Sequence, residues 1–520
     1  MPSIDYTLTT NTDLTKEQLK HSRPLDVHKW SDYPEVNTWV NELWNDYLAS
    51  EYPEATKAGK RPKASIKRQF KVLLLDLYVA WLEDPDLLVG ASLTKSSYKP
   101  NSRYNTLHIS YVIVDIIDYL HSIDLIGLHK GSEWAKRTTR IWTTEKLRTH
   151  FKASEVTNLM INIHKDKEVI VLNKTEPDEQ GRFRGKSKSV EYKDEDYDQI
   201  PRMRQEVKRY NELLRTSFID IGDLEKPLVE QEYWDRSKQR MVTRQVHINH
   251  HNKFVRRIFY RGSWKLGGRL HGGFWQQIKE KRQNILINDH RTVELDFSGL
   301  HINLAYALES LKPLQGDPYS VDLLFDTTPE QQREWVKILS LMLINARDEK
   351  KAIQAFRSAQ PTGSQAKRFT NKQVTLLIEA FTEKHQKISK YFCSDSGVVF
   401  MSIDGAITAK VIKHFTDLKE PILSVHDSYI CREELKDDLI EVMNEVIADT
   451  LAGYAIGIKA NKEIEDIASR TVEGVIELSQ MKDLWLNRPE DSLRCEGYER
   501  RWEQHKEWLY MIERPLYINL

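Results

Sequence analysis

Two stretches decide how this chain is read: Val293-Glu294-Leu295-Asp296-Phe297-Ser298-Gly299-Leu300-His301 and Pro421-Ile422-Leu423-Ser424-Val425-His426-Asp427-Ser428-Tyr429-Ile430. In the first, β-forming residues run up to Asp296, and an apolar helical stretch, Ile302 to Leu308, follows. In the second, an apolar run is broken by His426-Asp427-Ser428 and then resumes, the pattern of a hairpin with a polar tip. Each stretch presents one aspartate where a strand ends, and a hairpin tip pushes its carboxylate out of the sheet. If the two strands are neighbours, Asp296 and Asp427 share one site despite their distance in sequence.

Between them lies Gln331-Gln332-Arg333-Glu334-Trp335-Val336-Lys337. A spacing of four stacks Arg333 and Lys337 on one helix face, and continuing by fours adds Leu341 and Asn345. Arg grips phosphate bidentately and Lys acts as a point charge, so this stripe suits a triphosphate, with Leu341 and Asn345 towards base and sugar. Mg²⁺ takes oxygen ligands and needs only one or two protein carboxylates. Two such ions about 4 Å apart serve an in-line displacement at phosphorus. Taken singly, each piece has a plainer reading: a strand-end Asp caps or turns, an Arg-x-x-x-Lys pair is a solvated face, and His-Asp-Ser is a turn. Their order along the chain singles out the set, and a template-directed polymerase is the leading expectation.

These residues resemble the three motifs of the right-hand polymerases, which include bacteriophage-type single-subunit RNA polymerases and family A DNA polymerases. Asp296 to His301 looks like motif A, Arg333 to Ala346 like motif B, and His426-Asp427-Ser428 like motif C. The resemblance covers roughly residues 250 to 450 and is strong only at these motifs. It implies an α+β palm with small fingers, two Mg²⁺ ions (Mn²⁺ possible) held by Asp296 and Asp427, and pyrophosphate release. It also implies nucleotide binding by Arg333, Lys337, Leu341, Asn345 and His301, with His426 and Ser428 in support. His-Asp-Ser, and the segment Ser263 to His271 with Arg269, are similar to the RNA-polymerase branch. Two departures leave the sugar open. Asn345-Ala346 stands where motif B normally has Tyr-Gly, whose tyrosine helps choose ribose, and His301 stands where the DNA enzymes carry a glutamate.

The 520 residues suffice for two to four domains. No apolar run approaches a membrane span, Met1-Pro2-Ser3-Ile4-Asp5 does not open a secretion signal, and Cys393, Cys431 and Cys495 form no disulfide or zinc pattern. The expected setting is a reducing cytoplasm. Formal net charge is zero, so local distribution matters more. From Arg240 to Arg282 the only acid is Glu280, while Arg256, Arg257, Arg261 and Arg269 stand among Phe259, Tyr260, Trp264 and Trp275. Cations with interleaved rings are the composition of a nucleic-acid groove.

Residues 1–60 read as a short helical segment without a site. In 61–155, a long helix is expected from Ala64 to Leu82, then a buried helix from Ile109 through Leu120 and on to Leu125-Ile126. A basic hairpin, Gly127–Gly131 with Arg137–Trp142, and a helix capped by Thr144 follow. Together these resemble a winged helix-turn-helix whose wing offers Arg137 and Arg140 to nucleic acid. In 156–240 a hairpin is expected between Leu159–His164 and Val169–Leu172, then a charged loop, Thr175 to Gln199, and a helix from Arg202 to Leu214. Residues 241–470 would be the palm and fingers core, and 471–520 a helical cap. Expected partners are a DNA or RNA template with its primer, and nucleoside triphosphates. Two rivals remain: an initiator or regulator whose palm has lost its chemistry, and a metal-dependent nuclease using the same carboxylates.

Overall fold

In the computed structural model, which describes residues 14–52, 63–131, 138–175, 187–235, 240–460 and 494–513, the chain divides into two compact units, 1–168 and 169–520. Arg137 lies outside the described residues. Both units mix helices and sheets, so the α+β expectation holds at that level.

The first unit opens with α1 (Lys16–Lys20), closed by a reciprocal capping box between Thr15 and Gln18. Strands β1 (Ser22–Pro24) and β2 (Lys29–Trp30) and helix α2 (Pro34–Leu43) follow. Helix α3 (Lys63–Glu83) is the long helix expected at 64–82. Its apolar residues point all round, and Phe70, Val72, Leu73, Leu74, Leu75, Leu77, Tyr78 and Val79 are all buried, as befits a helix running through a core. Around it lie β3 (Leu88–Ala91), α4 (Val112–Ser122), β4 (Ile126–His129), β5 (Thr139–Thr143), α5 (Glu145–Ala153) and β6 (Asn162–Ile163). The main sheet has the order β1-β3-β5-β4, and α2 shares its core with α3 and α4.

Helix, hairpin and helix thus stand in the expected order, with three corrections. Helix α4 stops at Ser122 because Asp124 turns left-handed (φ +60°), and Ile126 starts a strand instead of prolonging the helix. Thr144 sits at the N-cap of α5 without capping it; its hydroxyl donates to the Asp124 and Leu125 carbonyls at 2.7 and 2.9 Å. The hairpin expected between 159–164 and 169–172 does not form. Its first arm supplies β6, which pairs with β2, and its second supplies β7 (Ile170–Lys174), which joins the sheet of the second unit. Each arm finds a partner strand elsewhere, which local alternation cannot reveal.

In the second unit β8 (Lys188–Ser189) falls in the expected charged loop, and α6 (Ile200–Thr216) is the helix expected at 202–214. Strand β9 (Ile219–Ile221) and a two-stranded ribbon, β10 (Leu228–Asp235) and β11 (Arg240–His247), lead to the hairpin β12 (Val255–Tyr260) and β13 (Ser263–Gly272). One sheet has the order β13-β12-β7-β8. The second, which positions the site, contains β14 (Ile285–Ile287) and β15 (His290–Phe297). Four helices follow α7 (Leu300–Leu308): α8 (Pro329–Asn345), α9 (Glu349–Ala359), α10 (Asn371–Lys384) and α11 (Gly397–Asp417). Strands β16 (Leu423–Val425) and β17 (Ser428–Arg432), helix α12 (Lys436–Thr450) and strand β18 (Ile458–Ala460) complete the order β16-β17-β15-β14-β9, with β18 also pairing β15. Helix α13 (Glu496–Glu513) packs on this sheet, where Arg501 pairs with Asp220 of β9 at 2.7 Å. No described helix is long and apolar enough to cross a membrane.

Candidate active site

Strand β15 carries Asp296 opposite Ser428 of β17, so Asp427, the residue before Ser428, comes alongside. The turn joining β16 to β17 is only His426-Asp427, and so short a connection forces His426 to a positive φ of 59°. Buried residues on both arms, Leu423, Val425, Tyr429 and Ile430, hold the hairpin in the core and leave its tip outside. Ser428 supports the tip from below, its hydroxyl donating to Glu294 at 2.6 Å and to the Val425 carbonyl at 3.1 Å. Glu294 is in turn gripped by Arg282 through Nε at 3.0 Å and its terminal nitrogen at 3.2 Å. At the end of β15, Gly299 takes φ +58° and turns the chain straight into α7.

The two aspartates feel each other. Burial, and then the Asp427 charge, push the Asp296 carboxyl up to about 7, against the opposing pull of Lys459 and Lys337. Lys459, on the neighbouring β18, places its ammonium 3.8 Å from Asp296. Two crowded, partly desolvated carboxylates are a donor set that a hard divalent cation satisfies, since it needs no more than one or two protein oxygens. Among the described residues no group of three or more His, Cys, Asp or Glu side chains gathers as a metal cage. Asp296 and Asp427 are the residues that would hold Mg²⁺ or Mn²⁺.

Helix α8 brings Lys337 of the expected stripe within reach of Asp296. Thr328 caps it through the Gln331 N–H, and Pro329 occupies its first turn. Lys337 is exposed, forms no ion pair among the described residues, and acts on Asp296 through its charge. Leu341 is 42 % exposed. Asn345 closes the helix by donating to the Leu341 carbonyl at 2.8 Å, and its amide oxygen fills the space a side chain at Gly397 would need. Arg333 is occupied by Asp317 and Glu334, at 2.5 and 3.0 Å.

Beneath the carboxylates runs a buried polar chain. Gly405 of α11 approaches β13 so closely that a Cβ there would lie 2.4 Å from the Gly268 carbonyl. That contact seats Arg269 against Asp404, which is fully buried, and the same guanidinium donates to His301 Nε2 at 3.1 Å. Accepting at Nε2 makes His301 the Nδ1–H tautomer; burial and the Arg269 charge hold it down at about 4, and its buried Nδ1 has no partner among the described residues. Burial lifts the Asp404 carboxyl to about 6 despite Arg269. Thr408, one turn along α11, bonds the His426 carbonyl at 3.2 Å and the Tyr429 hydroxyl at 3.1 Å.

The cations expected to meet nucleic acid divide. Arg256 is exposed on β12. Arg257 is a correction: it points inward with Val255 and Phe259, is 8 % exposed, and donates to the Gly268 and Gly405 carbonyls at 2.8 and 3.3 Å. It binds β13 to α11 and does not face solvent. Arg261 pairs with Asp395 at 2.8 Å, and Arg140 of the first unit donates to the Thr138 and Leu19 carbonyls at 2.7 and 3.3 Å. Asp404, Thr408, Lys459, Asp317 and Tyr319 are site residues that sequence reasoning missed. Asp404 and Thr408 stand in a stretch, 404–412, that the sequence marks only as helical.

No family model matches the chain, and no curated protein matches it. Among solved structures it is similar to the POL domain of Pol1 from M. smegmatis in complex with DNA primer-template and dNTP, at 11 % identity and a TM-score of 0.27. That likeness covers 37 % of this chain and 45 % of the other, so this chain spans less than half of the structure it matches. A score at this level carries no argument for fold or function.

Proposed function

We propose that the second unit is a template-directed nucleotidyltransferase, extending a nucleic-acid chain from nucleoside triphosphates. The observation that carries this is the register of β15 on β17. It sets Asp296 beside Asp427, close enough for one charge to raise the other's carboxyl, within reach of the Lys337 charge on α8.

On this reading Asp296 and Asp427 hold two Mg²⁺ ions, which supply charge neutralisation at the reacting phosphate. The primer 3′-hydroxyl attacks the α-phosphate, a new P–O bond forms, the bond to the bridging oxygen breaks, and pyrophosphate leaves with the electron pair. The hydroxyl proton passes to solvent. Lys337 and Arg333 take the β- and γ-phosphates, while Leu341, Asn345 and His301 border the base and sugar. Arg269 positions His301 from its seat on Asp404. His426 and Ser428 hold the hairpin that presents Asp427. Most of the rate comes from positioning and electrostatics, as in phosphoryl transfer generally.

Exposed Arg256 is the cation of β12 free to meet template or duplex. Residues 241–470 form the polymerase palm and fingers core in this proposal. Residues 61–155 would be a winged-helix-like module meeting nucleic acid through Arg140 and Arg137, and 471–520, of which 494–513 are described, would be a cap.

The test is extension of a labelled primer on a template with Mg²⁺, comparing dNTPs with NTPs and wild type with Asp296→Ala and Asp427→Ala. Extension lost in both variants supports the proposal, and the preferred sugar assigns the product. Shortening of the labelled strand without added triphosphate assigns a nuclease instead. Salt-sensitive binding with no turnover assigns a binding protein.

A further inference from the structure

The loop between α7 and α8 turns back into the site and meets the cation assigned above to the triphosphate. Asp317 takes the Arg333 fork with both carboxylate oxygens, Nε to Oδ2 at 2.5 Å and the terminal nitrogen to Oδ1 at 3.1 Å. Asp317 is itself oriented: its Oδ1 accepts the Tyr319 N–H at 3.2 Å. Neighbouring carbonyls are bolted to the end of α10. Lys384 donates to Asp317 O at 2.8 Å and to Ser320 O at 2.6 Å, and His385 Nε2 donates to Pro318 O at 2.8 Å. Because the Pro318 carbonyl can only accept, Nε2 of buried His385 carries the proton, and its Nδ1 accepts from the Tyr306 hydroxyl at 3.0 Å. The Tyr319 ring lies under the Arg333 guanidinium at 5.6 Å, and its hydroxyl comes within 3.5 Å of where a Cβ on Gly299 would stand, three residues past Asp296. The segment is therefore inside the site.

We infer that Asp317 is a displaceable counter-ion that occupies the Arg333 fork in the nucleotide-free protein and yields it to the incoming triphosphate. The inference rests on the reading of α8 as the triphosphate-binding helix. A carboxylate and a phosphate present the same pair of oxygens to a guanidinium, and the edge made by Nε and its neighbouring nitrogen serves one of them at a time. The exchange leaves no stranded charge, because the Arg333 and Asp317 side chains are 34 % and 31 % exposed and water takes over the released carboxylate. Lys337, one turn along, favours the more highly charged of the two anions. The bonds from Lys384 and His385 hold the loop backbone, so the swap is confined to the Asp317 side chain.

Asp317 then sets nucleotide affinity by competing for Arg333. Asp317→Asn keeps the acceptor for the Tyr319 N–H and removes the charge, which leaves the loop in place. Binding of a fluorescent Mg²⁺-nucleoside triphosphate is measured on wild type, Asp317→Asn, Arg333→Gln and the double variant, with Asp317→Ser as a second way of removing the carboxylate. Asp317→Asn tightens binding about two- to fivefold, the size of one partly exposed ion pair, and Arg333→Gln weakens it. In the Arg333→Gln background the Asp317 substitution has no further effect. Weaker binding in Asp317→Asn and Asp317→Ser, or equal tightening without Arg333, overturns the counter-ion role while leaving Asp296-dependent extension intact. Absence of triphosphate binding in every protein, together with absence of extension, overturns the nucleotidyltransferase reading as well.

Discussion

The hydroxyl of Thr408, on α11, bonds the carbonyl of His426, on the turn that presents Asp427, across 3.2 Å. One buried hydroxyl thus ties the helix to a turn whose leading residue is held at positive φ. Thr408→Val keeps the shape and removes the bond to His426 and to the Tyr429 hydroxyl. The expected cost is about 1–3 kcal/mol from the partners left unpaired. Urea unfolding measures it, and single-turnover extension falls alongside. An unchanged extension rate in a destabilised protein would show that the turn holds its shape alone.

Gly405→Ala tests the contact beneath the site. The added methyl meets backbone at 2.4 Å from Gly268 O and 2.9 Å from Arg269 N, so α11 and β13 must part. Overpacking of this kind costs about 1–3 kcal/mol. Since the same contact seats Arg269 on Asp404, extension drops further than the stability loss explains. Thermal melting beside extension at a temperature where the variant is fully folded separates the two effects.

Acid sensitivity follows from the buried histidines. Burial holds His505, which donates to the Thr216 carbonyl at 3.2 Å, down at about 4, against an ordinary 6.5. A depressed value means the unfolded chain takes up the proton first, so this contribution is whole above 6.5 and is lost as pH falls towards 4. His505→Phe keeps a ring against Trp502 and Phe218 without titrating. Urea midpoints at pH 5 and pH 7.5 should lie closer together in the variant than in wild type. They do not coincide, because His271 and His301 are also held at about 4. Equal spacing in both proteins counts against the assignment.

Asp296 works in the opposite sense. Its carboxyl is raised from 3.8 to about 7, so the native state keeps a proton that the unfolded chain has released, and that stabilisation disappears as pH climbs through 7. A divalent cation takes the proton's place. Mg²⁺ therefore raises the melting temperature more at pH 8 than at pH 5.5, and Asp296→Asn removes most of the difference. Identical Mg²⁺ shifts at both pH values would mean that the ion binds elsewhere.

Asp296 and Asp427 were legible because both signals are local: a strand breaking at an acid, and an apolar hairpin with a polar tip. The long helix α3 was legible for the same reason, as its apolar run exceeds any strand. Arg257 was misread from a count of cations, although alternation in Val255, Arg257 and Phe259 already set it on the inward face of β12. The arms on either side of Lys165-Asp166-Lys167 looked like a hairpin because nothing local says that β2 and β12 compete for them. Asp404, Thr408 and Asp317 belong to the site through contacts between distant segments, which a single sequence does not display.

The Arg269–Asp404 pair also constrains how the molecule comes into being. Its partners are 135 positions apart, and the Glu294–Ser428 bond that steadies the hairpin spans 134. Contacts of such separation form late and slowly, because the intervening chain must first be closed into a loop. A growing chain therefore exposes Asp296 on the ribosome well before Asp427 exists, and carries Arg269 with no carboxylate to answer its charge. A chain ending short of β17 lacks both the turn that carries Asp427 and the Ser428 hydroxyl that Glu294 accepts, so the two carboxylates come together only once β17 has been made.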